Sequence, residues 1–309
     1  MSSTDASDTS DARKYLDPKA LDAISRLDLR ARLIVEGFVS GMHESPYRGF
    51  SVEFAQHREY TPGDDIRFVD WKVWARSDRI YIKEFEEETN LRAHLFLDQS
   101  ESMTYGRERA KFDYAATTTA ALAYLIQQQS DAVSLSLFDT EIRGQLAPSN
   151  SKAQLNSILH ELSQAKAVGK TKIGAILHQM ADVISTRGLI VILSDLFDEP
   201  NAILSGLRHL RHRGHDVILF HILDRDEVDF PFERMTMFEG LEALPDLLID
   251  PKPLRQAYLD EVTAFETAMR RGCLTERVDY QRIVSDQSLD VVLMTYLAKR
   301  AALSKKRRR

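Results

Sequence analysis

The chain has 309 residues, 43% hydrophobic and 28% charged, with a net charge of −6 and a single cysteine, Cys273. That length suits about two domains and a sizeable buried core, so disorder throughout is excluded. One cysteine excludes an internal disulfide and a thiolate zinc cage and fits a reducing compartment, and the acidic balance argues against a dedicated nucleic-acid binder.

In chain order, residues 1–14 are rich in Ser, Thr and Asp and are expected to be disordered. The opening MSSTDASDTSDARKY has no apolar run, so no secretory signal is expected. A helix over 15–38 is predicted, opened by Asp17-Pro18, with Leu21, Ile24, Leu27, Ala31 and Ile34 at helical spacing. Residues 39–90 mix glycines, prolines, aromatics and charges and read as a small β-rich module. In it Pro62-Gly63-Asp64 marks a tight turn, and Arg79 to Glu86 alternates as a half-buried strand does.

From residue 91 the texture changes. Apolar runs at 93–97, 132–138, 189–193, 216–223 and 278–284 predict strands, with 142–146 a hairpin partner. Helical patterns at 108–129, 152–164, 173–185, 202–211, 253–271 and 289–303 separate them, and 235–241 with 247–250 form a small β excursion. Strands alternating with helices predict an α/β domain over 91–303, with a mainly parallel sheet covered on both faces. Residues 304–309, ending in KKRRR, are too charged to pack. The longest uncharged stretch, Tyr114 to Ser130, carries Thr, Gln and Ser and reads as a buried helix, not a membrane span. A cytoplasmic protein is expected.

Ligands of open α/β sheets bind at the carboxyl ends of strands. Three polar clusters fall there: Asp98-Gln99-Ser100-Glu101-Ser102, Gly169-Lys170-Thr171, and Ser194-Asp195. Their ligating side chains are all oxygen, which suits a hard divalent cation such as Mg²⁺. The alternative for DQSES alone is a helix N-cap. Asp64, Asp65, Arg67, Asp70, Trp71 and Arg76 read either as an active site or, preferably, as a buried ion-pair network in which Trp71 and Trp74 supply packing area. No Ser, Cys or His stands out as an activated nucleophile. His209, His212 and His215 recur three apart, which turns past one helix face and argues against zinc. Cys273 reads as an inert thiol.

The D-x-S-x-S after a first strand, a later Thr before a helix, and an Asp after an apolar strand resemble the von Willebrand factor A domain. That resemblance implies a Rossmann-like sheet with a metal-ion-dependent adhesion site formed by Asp98, Ser100, Ser102, Thr171 and Asp195. The family usually has Gly after the last Asp; here Leu196 follows. The run from Glu53 to Arg76 resembles the signature of the bacterial domain of unknown function 58, which implies action beside MoxR-type AAA+ ATPases in chaperone-like assembly. The expected function is metal-dependent protein–protein interaction and not catalysis, a partner's acidic side chain completing the shell of a bound Mg²⁺. The rivals are a Mg²⁺-dependent phosphohydrolase, for which Ser100 stands where a second acid is commonly needed and Lys170 is a weak phosphate ligand, and a scaffold with a vestigial metal site.

Overall fold

The computed structural model describes residues 52–61, 69–77, 79–87, 91–107, 109–151, 153–242, 244–289 and 291–292. The expectations for 1–14, 15–38, the Pro62-Gly63-Asp64 turn, Asp64, Asp65, Arg67, most of 289–303 and the basic tail lie outside these residues. The described residues fall into two compact units that divide between residues 90 and 91.

In the first unit, β1 (Val52–Glu59) pairs antiparallel with β2 (Tyr81–Glu87), with a register irregularity between Phe54 and Gln56. That irregularity explains why 52–59 shows no clean period in the sequence. Val69 bridges Ile82, and both are buried. Asp70, also buried, opens the seven-residue helix α1 (Trp71–Ser77): its Oδ1 accepts from the N–H of Lys72 at 3.0 Å and of Val73 at 3.3 Å. This is N-capping, a role the ion-pair expectation did not assign it. The tryptophans do not pack as expected. Trp71 and Trp74 meet edge to face at 6.0 Å but stay 59% and 44% exposed. Their i, i+3 spacing puts them on one helix face, and the short helix turns that face to solvent.

The second unit is α/β. Its sheet strands are β3 (Arg92–Asp98), β4 (Ala132–Phe138), β5 (Ile142–Ser149), β6 (Leu189–Ser194), β7 (Asp216–Leu223) and β10 (Asp279–Val284). They lie in the order β10-β7-β6-β3-β4-β5, all parallel except β5, which pairs antiparallel with β4. The helices are α2 (Lys111–Gln128), α3 (Gln154–Gln164), α4 (Ile173–Val183), α5 (Pro200–His212), the short α6 (Arg225–Asp229) and α7 (Lys252–Thr275). A two-stranded excursion, β8 (Thr236–Phe238) with β9 (Leu247–Ile249), leaves the main sheet. The mainly parallel sheet flanked by helices is the architecture the alternating pattern predicts.

Strand alternation divides the core in two. Leu95, Leu97, Val191 and Leu193 point to one face and pack with α2 and α3 residues such as Ala116, Ala120 and Ile158. Phe96, Ile190 and Ile192 point to the other, against Ile176, Leu177, Ile203 and Leu207 of α4 and α5. Strands buried on both faces read as continuous apolar runs, whereas β5, at the edge, alternates half-buried and exposed residues over most of its length. A Cβ on Gly206 of α5 would fall 2.5 Å from the Leu177 Cβ, so α4 and α5 pack at glycine distance. Helix α7 is mostly exposed; only Met269 and Cys273 are buried, in the second core layer. No helix among the described residues is long and apolar enough to cross a membrane.

Candidate metal centre

The chain leaves β3 toward β4 and β5 on one side and returns to β6 on the other. The order therefore reverses between β3 and β6, where the crevice of an open α/β sheet forms. Leu97 pairs in register with Leu193, so Asp98 at the end of β3 lies beside Ser194 at the end of β6. The Ser194 hydroxyl donates to Asp98 Oδ2 at 2.6 Å and accepts from the Leu196 N–H at 2.9 Å.

The segment after Asp98 turns tightly. The Ser100 N–H donates to Asp98 Oδ1 at 2.9 Å, and the Ser100 and Ser102 hydroxyls lie 3.0 Å apart. A single 3₁₀ turn, Glu101–Thr104, follows with no side-chain cap at Ser100, and α2 begins after Ala110. DQSES is therefore not serving as a side-chain N-cap. The loop before α4 is tied to this turn: the Glu101 N–H donates to Gly169 O and the Val168 N–H to Gln99 O, both at 2.8 Å. Gly169 has φ +86°, a conformation that favours glycine. These ties bring the Thr171 hydroxyl to 3.4 Å from Asp98 Oδ2.

The structure thus gathers Asp98, Ser100, Ser102 and Thr171 around one carboxylate, with Asp195 on the adjoining strand end. All five are at most 7% exposed. Lys170 is exposed and His209, His212 and His215 do not converge: His209 meets His178 at 3.1 Å, His212 is exposed, and His215 is buried before β7.

Three neighbours were not found from the sequence. Lys111, the first residue of α2, is 1% exposed and extends its Nζ to Asp195 Oδ2 at 2.9 Å and to Glu227 Oε1 at 2.7 Å. Burial alone would lower its pKa, but the two carboxylates more than offset that and hold it well above the usual lysine range. A lysine at a helix N-terminus faces the positive end of the dipole and ordinarily signals a solvated position; here the carboxylates outweigh the dipole. Glu227 is fixed by the capping box of α6, its Oε2 accepting from the Asp224 N–H at 2.6 Å. Burial raises its pKa against the pull of Lys111. Glu242, from the loop between β8 and β9, brings Oε2 to 3.4 Å from the Thr171 N–H.

The electrostatics are one-sided. Burial, then the charge of Asp195, push Asp98 up to about 7, against hydrogen bonds from Ser194 and Ser100. Among the described residues no Lys, Arg or His forms a salt bridge with Asp98. His221, next to Ser194 in the sheet, supplies no charge: burial drives it down to about 4, and its Nδ1 meets the Tyr280 hydroxyl at 2.7 Å. Lys111 therefore serves Asp195 and Glu227, and no salt bridge to Asp98 or Glu242 occurs among the described residues.

A divalent cation fits this edge. The donors are oxygen, and Asp98 is a buried carboxylate whose ionised form lacks a cationic partner. Among the described residues no three His, Cys, Asp or Glu side chains converge tightly enough to hold a metal by themselves, so a cation here would need hydroxyl oxygens as well. Leu196 departs from the glycine of the resembled pattern yet takes glycine's conformation, φ +59°, with its side chain buried. A leucine in that left-handed conformation carries local backbone strain.

The sequence profile of the family described as "Protein of unknown function DUF58" matches residues 56–268. An uncharacterized protein of Mycobacterium bovis is 25% identical over 301 residues, covering 93% of this chain and 92% of the relative. Among solved structures, the conserved hypothetical protein BatB of Bacteroides thetaiotaomicron overlays 69% of this chain and 99% of its own, at 13% identity and TM-score 0.47. The SpRpn10 VWA domain overlays 67% of this chain and 95% of its own, at 13% identity and TM-score 0.38.

Proposed function

The chain belongs to the DUF58 family, and from that premise we propose that it is a protein-binding adaptor whose contact runs through a divalent cation, Mg²⁺ in the cell, held by Asp98, Ser100, Ser102, Thr171 and Asp195. The observation that carries this reading is Asp98: a fully buried carboxylate at the sheet's switch point, ringed by hydroxyls and lacking a cationic partner among the described residues.

A bound cation would act as a hard Lewis acid that makes one contact to an anionic oxygen strong and directional. The chain's own residues prepare that contact. Ser194 and the Ser100 N–H fix both oxygens of Asp98. Lys111 holds Asp195 in place while compensating part of its charge. The paired Ser100 and Ser102 hydroxyls supply neutral oxygens, which leaves room for one further carboxylate. The partner is thus a protein presenting an Asp or Glu side chain, a MoxR-type AAA+ ATPase or its client, in the cytoplasm.

Catalysis has less support. The Lys111 ammonium is buried and engaged by two carboxylates, so it is not free to meet a phosphate. Ser100, two residues past Asp98, cannot serve as the leaving-group acid of a phosphohydrolase.

The test is titration calorimetry of Mg²⁺ into the wild-type chain, Asp98→Ala and Thr171→Ala, with a pull-down of a MoxR-type ATPase in Mg²⁺ and in EDTA. Binding in the wild type that is lost in Asp98→Ala, with capture only in Mg²⁺, is expected. Equal capture in both conditions would favour the vestigial scaffold, and phosphoester turnover that vanishes in Asp98→Ala would favour the enzyme.

A further inference from the structure

The loop between β8 and β9 is unusual in what it buries. Of its described residues, Glu239, Leu244, Pro245 and Asp246 are exposed and Gly240 and Leu241 half-buried; Glu242 alone is buried, at 8% exposure. A carboxylate is turned inward, while Met237, Leu244, Leu247 and Leu248 are each more than half exposed. The inversion is built into the backbone. Glu242 has φ +55°, in the left-handed region. Its N–H donates to Glu101 Oε2 at 2.7 Å, and Gly240 closes the turn with its N–H on Asp246 Oδ1 at 2.9 Å. A Cβ at Gly240 would strike the Leu244 carbonyl.

What the Glu242 carboxylate reaches is the metal centre. Its Oε2 lies 3.4 Å from the Thr171 N–H, while the Thr171 hydroxyl lies 3.4 Å from Asp98. The Ser102 hydroxyl is a second neighbour, and the Asp195 charge is felt there as well. The other oxygen, Oε1, is buried with no hydrogen-bond partner. A buried carboxylate oxygen left without a donor is costly, and here the surrounding charges are like charges. Both the inverted loop and the orphaned oxygen are what a group placed to meet a cation would show.

We propose that Glu242 is the chain's own occupant of the position that an acidic partner side chain would take, so that the 236–249 excursion is a tethered competitor which the partner must displace. This rests on the metal-dependent reading above. A competitor held on the same chain is present at high effective concentration, so weak binding suffices to close the site. The apparent affinity for an external carboxylate is then reduced by the fraction of molecules in which the loop stands open. Only a partner with contacts beyond one carboxylate would overcome it, which makes the device a specificity filter against stray acidic side chains.

The experiment uses the full chain, a labelled five-residue peptide bearing one glutamate, and its glutamine counterpart. Mg²⁺ binding to wild type, Glu242→Ala and Glu242→Gln is measured first by calorimetry, with circular dichroism confirming the fold. Peptide binding follows by fluorescence anisotropy in saturating Mg²⁺ and in EDTA. The expected result is that both variants bind the glutamate peptide about tenfold or more tighter than wild type, in Mg²⁺ only, and ignore the glutamine peptide. A second expected readout is faster backbone hydrogen exchange over 236–249 in the variants. Mg²⁺ bound with equal peptide affinity in all three proteins would overturn the tethered-competitor role alone. No Mg²⁺ binding in any of them would overturn the metal-dependent reading and this inference with it.

Discussion

At the amino end of the central sheet, the buried polar groups include two histidines, His94 and His215, and one carboxylate, Asp131. The His94 Nδ1 meets the Ser134 hydroxyl at 2.8 Å, and burial, then His215 and Arg92, hold the ring down to about 4, uncharged at neutral pH. Asp131 receives the Leu91 N–H at 3.1 Å, and burial raises it to about 6. At the carboxyl end, by contrast, two carboxylates, Asp195 and Glu227, hold the buried Lys111 ammonium, and Asp98, beside Asp195, is pushed up to about 7. Both ends bury polar atoms at similar depth and both leave some without a hydrogen-bond partner, His94 Nε2 at the amino end and Glu242 Oε1 at the carboxyl end, but the unpartnered atoms of one belong to histidines that burial keeps uncharged and that of the other to a carboxylate among carboxylates. That difference separates polar burial that serves the fold from polar burial that serves a ligand.

The contrast breaks most readily at Lys111. Lys111→Met leaves Asp195 and Glu227 buried without their cation and is expected to cost about 3 to 5 kcal/mol, read from urea unfolding. A loss no larger than that of a neutral hydrogen bond would mean that the two ends do not differ.

Asp98→Asn sharpens the same point through pH. The folded pKa of Asp98 is raised, so its contribution to stability is fully present below the unfolded value of 3.8 and is lost as pH rises through about 7. His94 and His221 act oppositely, their folded values being lowered to about 4, so stability from them falls as pH drops below the unfolded value of 6.5. They cancel in the difference between wild type and variant. Without metal, Asp98→Asn should be more stable than wild type at pH 8 by about 1 to 3 kcal/mol and equal to it near pH 3.5, and Mg²⁺ should stabilise wild type only. Parallel pH curves would remove the charge imbalance from the account.

At the amino end, Ser134→Ala removes one neutral partner of His94. The expected loss is about 1 to 2 kcal/mol, with Mg²⁺ binding unchanged by calorimetry. The smallest effect lies at Leu196. Leu196→Ala and Leu196→Gly both delete the buried side chain, but the glycine variant relieves the φ of +59° and should be the more stable by about 1 kcal/mol, the reverse of the usual order. An alanine variant equal to or above the glycine one would show that this turn carries no strain.

The fold was legible because parallel strands buried on both faces must be written as apolar runs such as LIVIL, and such runs are spaced by helical patterns. The strand ends were legible for the same reason: where the apolar run stops, Asp98 and Ser194-Asp195 stand out. Lys111 was not, because a lysine at the start of a helix has the same local sequence whether it meets solvent or two carboxylates 84 and 116 positions away. Glu242 was hidden among exposed apolar residues, where pattern assigns the glutamate to solvent. In the first unit the irregularity between Phe54 and Gln56 interrupts the alternation, and Trp71 and Trp74 were assigned to packing on hydrophobicity alone.

Cys273 gives the molecule a clock. Burial, then Glu276, push its thiol up to about 12, and its side chain is sealed beneath α7, so neither access nor thiolate is available in the closed state. It is the one cysteine among 309 residues, so each molecule can take a single label. Only Met269 and Cys273 of helix α7 are fully buried, with the half-buried Tyr258 and Phe265 packed beside Phe230 and His221, so its mostly exposed length is the kind that opens before the whole domain does. The rate at which a thiol reagent marks the chain therefore counts how often the end of this helix lifts from the sheet, without any engineered probe.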